Sequence, residues 1–373
     1  MEISLRTYVP FGSGWRMRID HPYSLWVRDR ELCWSCGQCP LDSDGQVIAP
    51  GDFMAQTRNV ALSIEQSLRS LQLGIVHVAK LVIYHVPDAS SGQALAESVE
   101  RFSARFLIVP ITVPHFYYEG MLIEIDVFCS HSQPAKTVLG TEPGPQLTII
   151  DGPELVYAAI IWNRAQLNQP GAWESARALL QRVMLVYDLS NDQLLSDRWF
   201  VIGPEATAVL NAANRDGFCS NPVSAVLCKW NGDTGAISDL TFVARRQGSC
   251  AAELSHGNVW LRRRGRFFNI TVRDRIAGTS LSMRTTWCME DIRQVLKQIG
   301  SGFTDICKAT TLYVGGSRAA VLHENMAIRN SFYQRPGPAS TGVPVAGFPF
   351  SGHLVSIDLL GTLYSSAPGA DSR

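Results

Sequence analysis

One carboxylate stands inside an apolar run: Glu124 interrupts Leu122-Ile123-Glu124-Ile125. Burial would raise its pKa, and one carboxyl of raised pKa can give a proton and then take one back. The plainer alternative is that strand alternation points Glu124 to solvent. Asp126 shares its strand face and is the second choice. Cys33, Cys36 and Cys39 follow at C-x-x-C-x-x-C spacing. A zinc site needs a second ligand pair, none follows nearby, and no metal is expected. Cys36 is a catalytic candidate if a neighbouring base or cation lowers its pKa. A buried Cys is otherwise a small apolar filler, so lining a site is expected of Cys36 ahead of attack. His115, Tyr117 and Tyr118 lie in a loop just before the Glu124 strand, at a cleft or at an exposed tip.

Elements must hold these groups in place. Asp52 can cap a helix in which Phe53, Val60, Ile64, Leu68 and Leu71 share one face, and Gly74 ends it. Ile75 to Val86 is rich in β-branched residues and reads as a buried strand. Ser91 to Phe106 reads as a second helix, with Leu95, Val99, Phe102 and Phe106 on one stripe. Leu107 to Val113 and Met121 to Phe128 close the unit, and Glu31 to Ser35 is an early strand. The order is β-β-α-β-α-β-β, an α+β layer with both helices on one sheet face.

Residues 1 to 19 read as a short lead, and Ser130 to Pro145, with its prolines and glycines, as a linker. The order then recurs, weakly over 146–247 and more clearly over 251–365. The second pass has strands at 155–162, 198–202, 223–230 and 237–243, and helices around Trp173 to Tyr187 and at 204–213. The third has strands at 258–261, 267–272 and 353–360, and helices at 287–299 and 318–332. Gly302 to Val314 matches Gly74 to Tyr84 in character, both with a Lys followed by a run ending near Tyr. A period of about 120 residues is far longer than a solenoid repeat and is the size of a small domain. The units expected are 1–130, 146–247 and 251–365.

Lys+Arg and Asp+Glu are both 33 in 373 residues. A general nucleic-acid surface needs a basic excess, so nucleic acid is not an expected partner. The first residues have no apolar core of signal-peptide type, and no apolar run approaches the roughly 20 residues of a membrane span. Nine Cys without a secretory signal suit reduced thiols. The expectation is a cytoplasmic chain that does not engage a membrane.

His21-Pro22-Tyr23-Ser24, Cys36-Gly37-Gln38 and Glu124 on the closing strand resemble the motifs of the Rid (YjgF-type) family. The resemblance is specific in the first unit, fair in the third and weak in the second. It implies a protomer whose sheet faces a central barrel in a trimer, with ligand clefts between neighbours. Three tandem copies then imply a single-chain pseudotrimer, monomeric or a dimer of that. The family's Gly-Pro-Tyr-Ser places Tyr23 at the ligand. Its Ser-Gly-Gln places Gly37 beside the ligand and Cys36 where a Ser makes close contact. Its Glu, which positions the hydrolytic water, matches Glu124. Its Arg, which holds a substrate carboxylate, falls near Val109 or Pro110 and is absent. Pro338 to Thr341 in the third unit lacks it too, and Ser356 stands where the Glu would be.

A replacement anchor is sought in the run Arg262-Arg263-Arg264 with Arg266, because guanidinium grips carboxylate through two parallel bonds. Arg263 is the candidate, a solvated hairpin the alternative, and Asn269 a weaker choice. The family's founding activity, hydrolysis of enamines and imines, implies a small-molecule hydrolase with His115 and Tyr118 among the substrate contacts and no cofactor. Chorismatase-type enzymes, also fused Rid-like chains, offer a hydrolase or lyase alternative. A small-ligand-binding protein without turnover is the third.

Overall fold

A computed structural model describes residues 6–12, 15–87, 105–140, 144–203, 206–219, 225–229, 233–244, 251–275, 280–349 and 352–363. They form three six-stranded sheets, one for each third of the chain. The first takes β1 (Arg6–Val9), β2 (Trp26–Asp29), β3 (Leu32–Ser35), β4 (Val78–His85), β5 (Leu107–Thr112) and β6 (Ile123–Ser130), in the order β1-β2-β3-β6-β4-β5, with helix α1 (Phe53–Ser70). The second takes β7 (Ala135–Leu139), β8 (Gln146–Asp151), β9 (Leu155–Asn163), β10 (Leu194–Val201), β11 (Ala225–Leu227) and β12 (Thr234–Val243). Its helices are α2 (Arg164–Leu167), α3 (Ala172–Val186) and α4 (Thr207–Arg215). The third takes β13 (Ala251–His256), β14 (Val259–Arg264), β15 (Phe267–Arg273), β16 (Ile306–Tyr313), β17 (Ala339–Pro344) and β18 (Val355–Thr362), with α5 (Leu281–Gln298) and α6 (Ala319–Asn330).

The plan repeats strand for strand. The strand after the first long helix lies parallel to the next and antiparallel to the last, as β4 does with β5 and β6, β10 with β11 and β12, and β16 with β17 and β18. The chain is therefore three tandem α+β units. The stretch expected to be a linker carries β7, which pairs with β8 at the edge of the second sheet. Its residues are mostly half-exposed and show no apolar alternation to betray a strand. The second unit thus starts before residue 146. Residues 6–9 likewise pair with β2 rather than trailing as a lead. The expected helix over 91–106 falls mostly outside the described residues. No described helix is long and apolar enough to cross a membrane.

Helix α1 forms as its sequence dictates. The Asp52 side chain accepts a hydrogen bond from the Ala55 N–H, and Phe53, Val60, Ile64 and Leu68 are buried on one stripe. It packs on β6, whose Ile123, Ile125 and Val127 alternate toward that side. The opposite face of β6 carries Glu124, Asp126 and Phe128, aligned with Tyr84, Val82 and Lys80 of β4. Alternation would normally send such a polar face to water. Here it meets the other units instead.

Those meetings are ionic. Lys80 donates to both Asp239 carboxylate oxygens across the first and second units, at 2.9 and 3.1 Å. Lys308 donates to Asp126 Oδ1 across the third and first units, at 2.8 Å. The register makes Lys80, Ser196 and Lys308 equivalent, and likewise Asp126, Asp239 and Asp358. At the remaining junction Ser196 supplies no cation, and Asp358 takes hydrogen bonds from Asn269 and Thr271. Arg262 pairs with Asp197 there instead, at 2.6 Å. Arg266 joins all three units, donating to Asp29 and to Glu154.

Candidate functional site

A small cleft, with about 40 Å³ of room for the centres of water-sized spheres, lies between the first and third units. From the first unit Tyr23, Gly37, Cys39, Tyr118 and Glu124 line it; from the third, Leu322, Met326 and Arg329 of α6 and Ser340 and Gly342 of β17. Phe11, Trp15, Phe116 and Met121 complete an apolar wall.

Each side chain arrives by a local cause. The segment Pro22–Ser24 docks on the third unit: Ser24 N–H donates to Pro338 O at 3.1 Å, and Gly337 N–H to Pro22 O at 2.8 Å. This carries Tyr23 into the cleft, its ring edge-on to Tyr333 at 5.6 Å. Gln56 of α1 braces the turn before β6, donating to Gly120 O at 2.6 Å and accepting from Leu122 N–H at 2.8 Å. β3 ends at Ser35, and Gly37 then passes directly over Glu124. A Cβ added at Gly37 would lie 1.7 Å from Glu124 Oε1. Only glycine leaves room for the carboxyl.

Glu124 is buried, and its pKa is pushed from the ordinary 4.5 up to about 8. Desolvation is the largest cause and the Asp126 charge the next, while Lys308 and a hydrogen bond from Cys39 pull it down. Asp126 itself is held by Lys308, by Thr341 Oγ1 at 2.5 Å and by Tyr84 Oη at 3.4 Å. At neutral pH the group is chiefly a neutral acid, able to donate a proton into the cleft and then to act as base.

Three residues singled out from the sequence lie elsewhere. Cys36 is buried behind the cleft wall, bonded by Gln38 Nε2 at 3.4 Å, and burial pushes its thiol well above the ordinary range. It is not poised as a thiolate. The thiol that lines the cleft is Cys39, raised for the same reason. His115 does not line the cleft; it packs edge-on against Tyr117 at 6.0 Å. Arg263 is not the anion anchor. It lies on β14, where its Nε donates to Gly265 O at 3.3 Å. Nor is its run a solvated hairpin, since Arg262, Arg264 and Arg266 are engaged by Asp197, Glu253 and Glu154. Asn269 is likewise committed to Asp358.

The residue missed is Arg329. Its signal was available: Leu322, Asn325, Met326 and Arg329 form the buried stripe of α6, and an arginine on such a stripe is anomalous. Its Nε donates to Asn325 Oδ1 at 2.8 Å, and Asn325 is fixed by donating to Thr285 of α5 at 2.7 Å. Glu124 has no counterpart in the other units, where the register puts Ile237 and Ser356. Among the described residues no three His, Cys, Asp or Glu side chains converge as a metal would require.

Residues 16–130 match the family model described as Endoribonuclease L-PSP. No curated protein matches the chain. Among solved structures, a chorismatase shares 9% identity over 77% of this chain and 93% of its own, with a TM-score of 0.50. A Mycobacterium tuberculosis member of the YjgF/YER057c/UK114 family shares 25% identity over 34% of this chain and 98% of its own, TM-score 0.28. A Rid-family protein from Yersinia pestis shares 20% over the same shares, TM-score 0.30. The single-unit proteins each span one third of the chain, whereas the chorismatase spans most of it. The first unit thus matches the Endoribonuclease L-PSP family model over most of its length, and the chain carries three α+β units of one architecture in tandem.

Proposed function

We propose that the cleft between the first and third units hydrolyses a C=N bond of a small metabolite, an imine or the imine tautomer of an enamine. The observation that carries this is Glu124: a buried carboxyl, raised to about 8, lining an open cleft. Glu124 gives its proton to the nitrogen, which makes the carbon electrophilic. The carboxylate so formed accepts a proton from water as the water oxygen bonds to that carbon. Glu124, protonated again, then gives a proton to the nitrogen and takes one from the new hydroxyl as the C–N bond breaks, so that nitrogen leaves as ammonia or an amine and the carbonyl product remains. No metal or covalent intermediate enters this scheme. The test is release of keto acid from imines generated in situ by an amino-acid oxidase, measured above the spontaneous rate. Glu124→Ala and Glu124→Gln should abolish the acceleration; full activity in either overturns the mechanism.

The chorismatase likeness in fold supports a second reading, hydrolysis or lysis of a cyclic carboxylate such as chorismate. Chorismate carries two carboxylates, and one buried guanidinium faces this cleft. Incubation of the purified chain with chorismate decides between them.

A further inference from the structure

Six arginines are buried among the described residues. Five of them meet a carboxylate: Arg6 with Asp29, Arg198 with Asp239, Arg262 with Asp197, Arg264 with Glu253, and Arg284 with Asp274. Arg329, 3% exposed, meets none among the described residues. Its one hydrogen bond uses Nε and leaves both terminal nitrogens uncommitted. A guanidinium buried without a counter-charge is costly, and one that lines a cavity is relieved by an anion entering it. The facing carboxyl, Glu124, does not serve as that anion, because the neutral form in which its surroundings hold it near pH 7 carries no charge.

The space around Arg329 is kept for it. A Cβ at Gly342 would sit 3.0 Å from its Nη2. Aromatic rings line the walls beyond: Tyr117, backed by the stacked ring of Tyr313 at 5.5 Å and 10°, with Trp15 and Phe116, and Met326 beside them. Ring faces of this kind favour a flat apolar body, and the Tyr117 hydroxyl and the Trp15 indole N–H are the polar atoms set among them.

We infer that Arg329 anchors the carboxylate of the ligand, and that the ligand is a monocarboxylate carrying an aromatic-sized apolar group. This deepens the proposed function and rests on the same cleft being the working site, though not on turnover. The reacting carbon then lies between an anchor from the third unit and the acid from the first.

Calorimetric titration of the full chain tests it with three probes: phenylpyruvate, its neutral analogue phenylacetone, and pyruvate. Phenylpyruvate should bind at least tenfold more tightly than either of the others. Arg329→Gln should weaken phenylpyruvate roughly ten- to hundredfold, the worth of a charge-assisted pair, and Arg329→Lys should recover part of the loss. Melting curves report whether the variants fold; should Arg329→Gln not fold, the wild-type contrast between phenylpyruvate and phenylacetone decides. Failure of phenylpyruvate to bind, equal binding of phenylacetone, or unchanged affinity in Arg329→Gln overturns the anchor. Equal binding of pyruvate overturns the apolar body. Tight binding of phenylpyruvate with no turnover of any imine sinks the hydrolase and leaves the anchor standing. Turnover of imines without preference for carboxylates does the reverse.

Discussion

Asp126→Asn and Lys308→Met should move the titration of Glu124 in opposite directions. Asp126 raises that pKa and Lys308 lowers it, and the two are paired at 2.8 Å. Removing Asp126 also leaves Lys308 uncompensated, so both consequences lower Glu124; removing Lys308 leaves Asp126 uncompensated and raises it. Residues two apart on a strand face lie about 7 Å apart. At an effective dielectric of about 20, a unit charge there is worth roughly 2.4 kcal/mol, or about 1.7 pH units. Asp126→Asn should therefore bring Glu124 from about 8 to between roughly 6 and 7. The double variant removes both charges and should return near the starting value, because burial is the largest cause and is untouched. Infrared difference spectra of the protonated carboxyl stretch, assigned with Glu124→Gln, follow this without any substrate. Stability gives a second readout. The folded pKa exceeds the ordinary 4.5, so the folded state binds the extra proton between 4.5 and about 8. Stability falls as pH rises through that window, by up to roughly 5 kcal/mol, and the window narrows in Asp126→Asn. Titration of Glu124 near its ordinary value, or movement of both single variants in one direction, refutes the reasoning.

Gly37→Ala should displace the Glu124 carboxyl, since the new Cβ would overlap Oε1. Activity should fall by roughly a hundredfold while stability drops by about 1–3 kcal/mol; an alanine variant that keeps full imine hydrolysis would show that the carboxyl need not sit there. Lys80→Met leaves Asp239 paired with Arg198 at 2.7 Å, whereas Asp239→Asn strands two buried cations. Urea denaturation should find Asp239→Asn the worse by a few kcal/mol, a break of this kind costing about 3–5 kcal/mol, and the reverse order would remove the pair from its place as the clasp between the first two units.

Elements written in apolar periodicity could be read directly. The stripe of Phe53, Val60, Ile64 and Leu68 is α1, and the β-branched run ending at His85 is β4. Helix α5 starts earlier than expected, at Leu281, because its first turn is capped by Ser280 and carries polar residues that hide the period. β7 and β13 are exposed edge strands held by hairpin pairing alone, and no single-strand pattern records that. At the site, motif spacing placed Tyr23, Gly37 and Glu124, and loop position placed Tyr118; all four line one cleft. Arg263 did not join them, because charge clustering cannot distinguish a free anchor from arginines engaged between units. The cation that does line the cleft, Arg329, is set by how α6 lies against the first unit, a tertiary fact.

Among the described residues one junction brings together both an acid and an unpaired arginine, and fusion of the units accounts for that. In a homotrimer, an arginine gained on α6 would appear at all three interfaces, along with its cost wherever no anion binds. In a fused chain each interface changes independently. The junction of the third and first units holds the Lys308–Asp126 pair, Glu124, Gly37 and Arg329. The junction of the first and second keeps the lysine pair, but Ile237 replaces the acid. The junction of the second and third has Ser196 and Ser356 at the positions of the lysine and the acid, and is fastened by Arg262 and Asp197. The polar face of β6 therefore does two jobs within two residues: Asp126 fastens the units and Glu124 faces the cleft. The fastening charge is also what helps keep Glu124 protonated, so the assembly of the three units and the acidity of the site are set by the same pair.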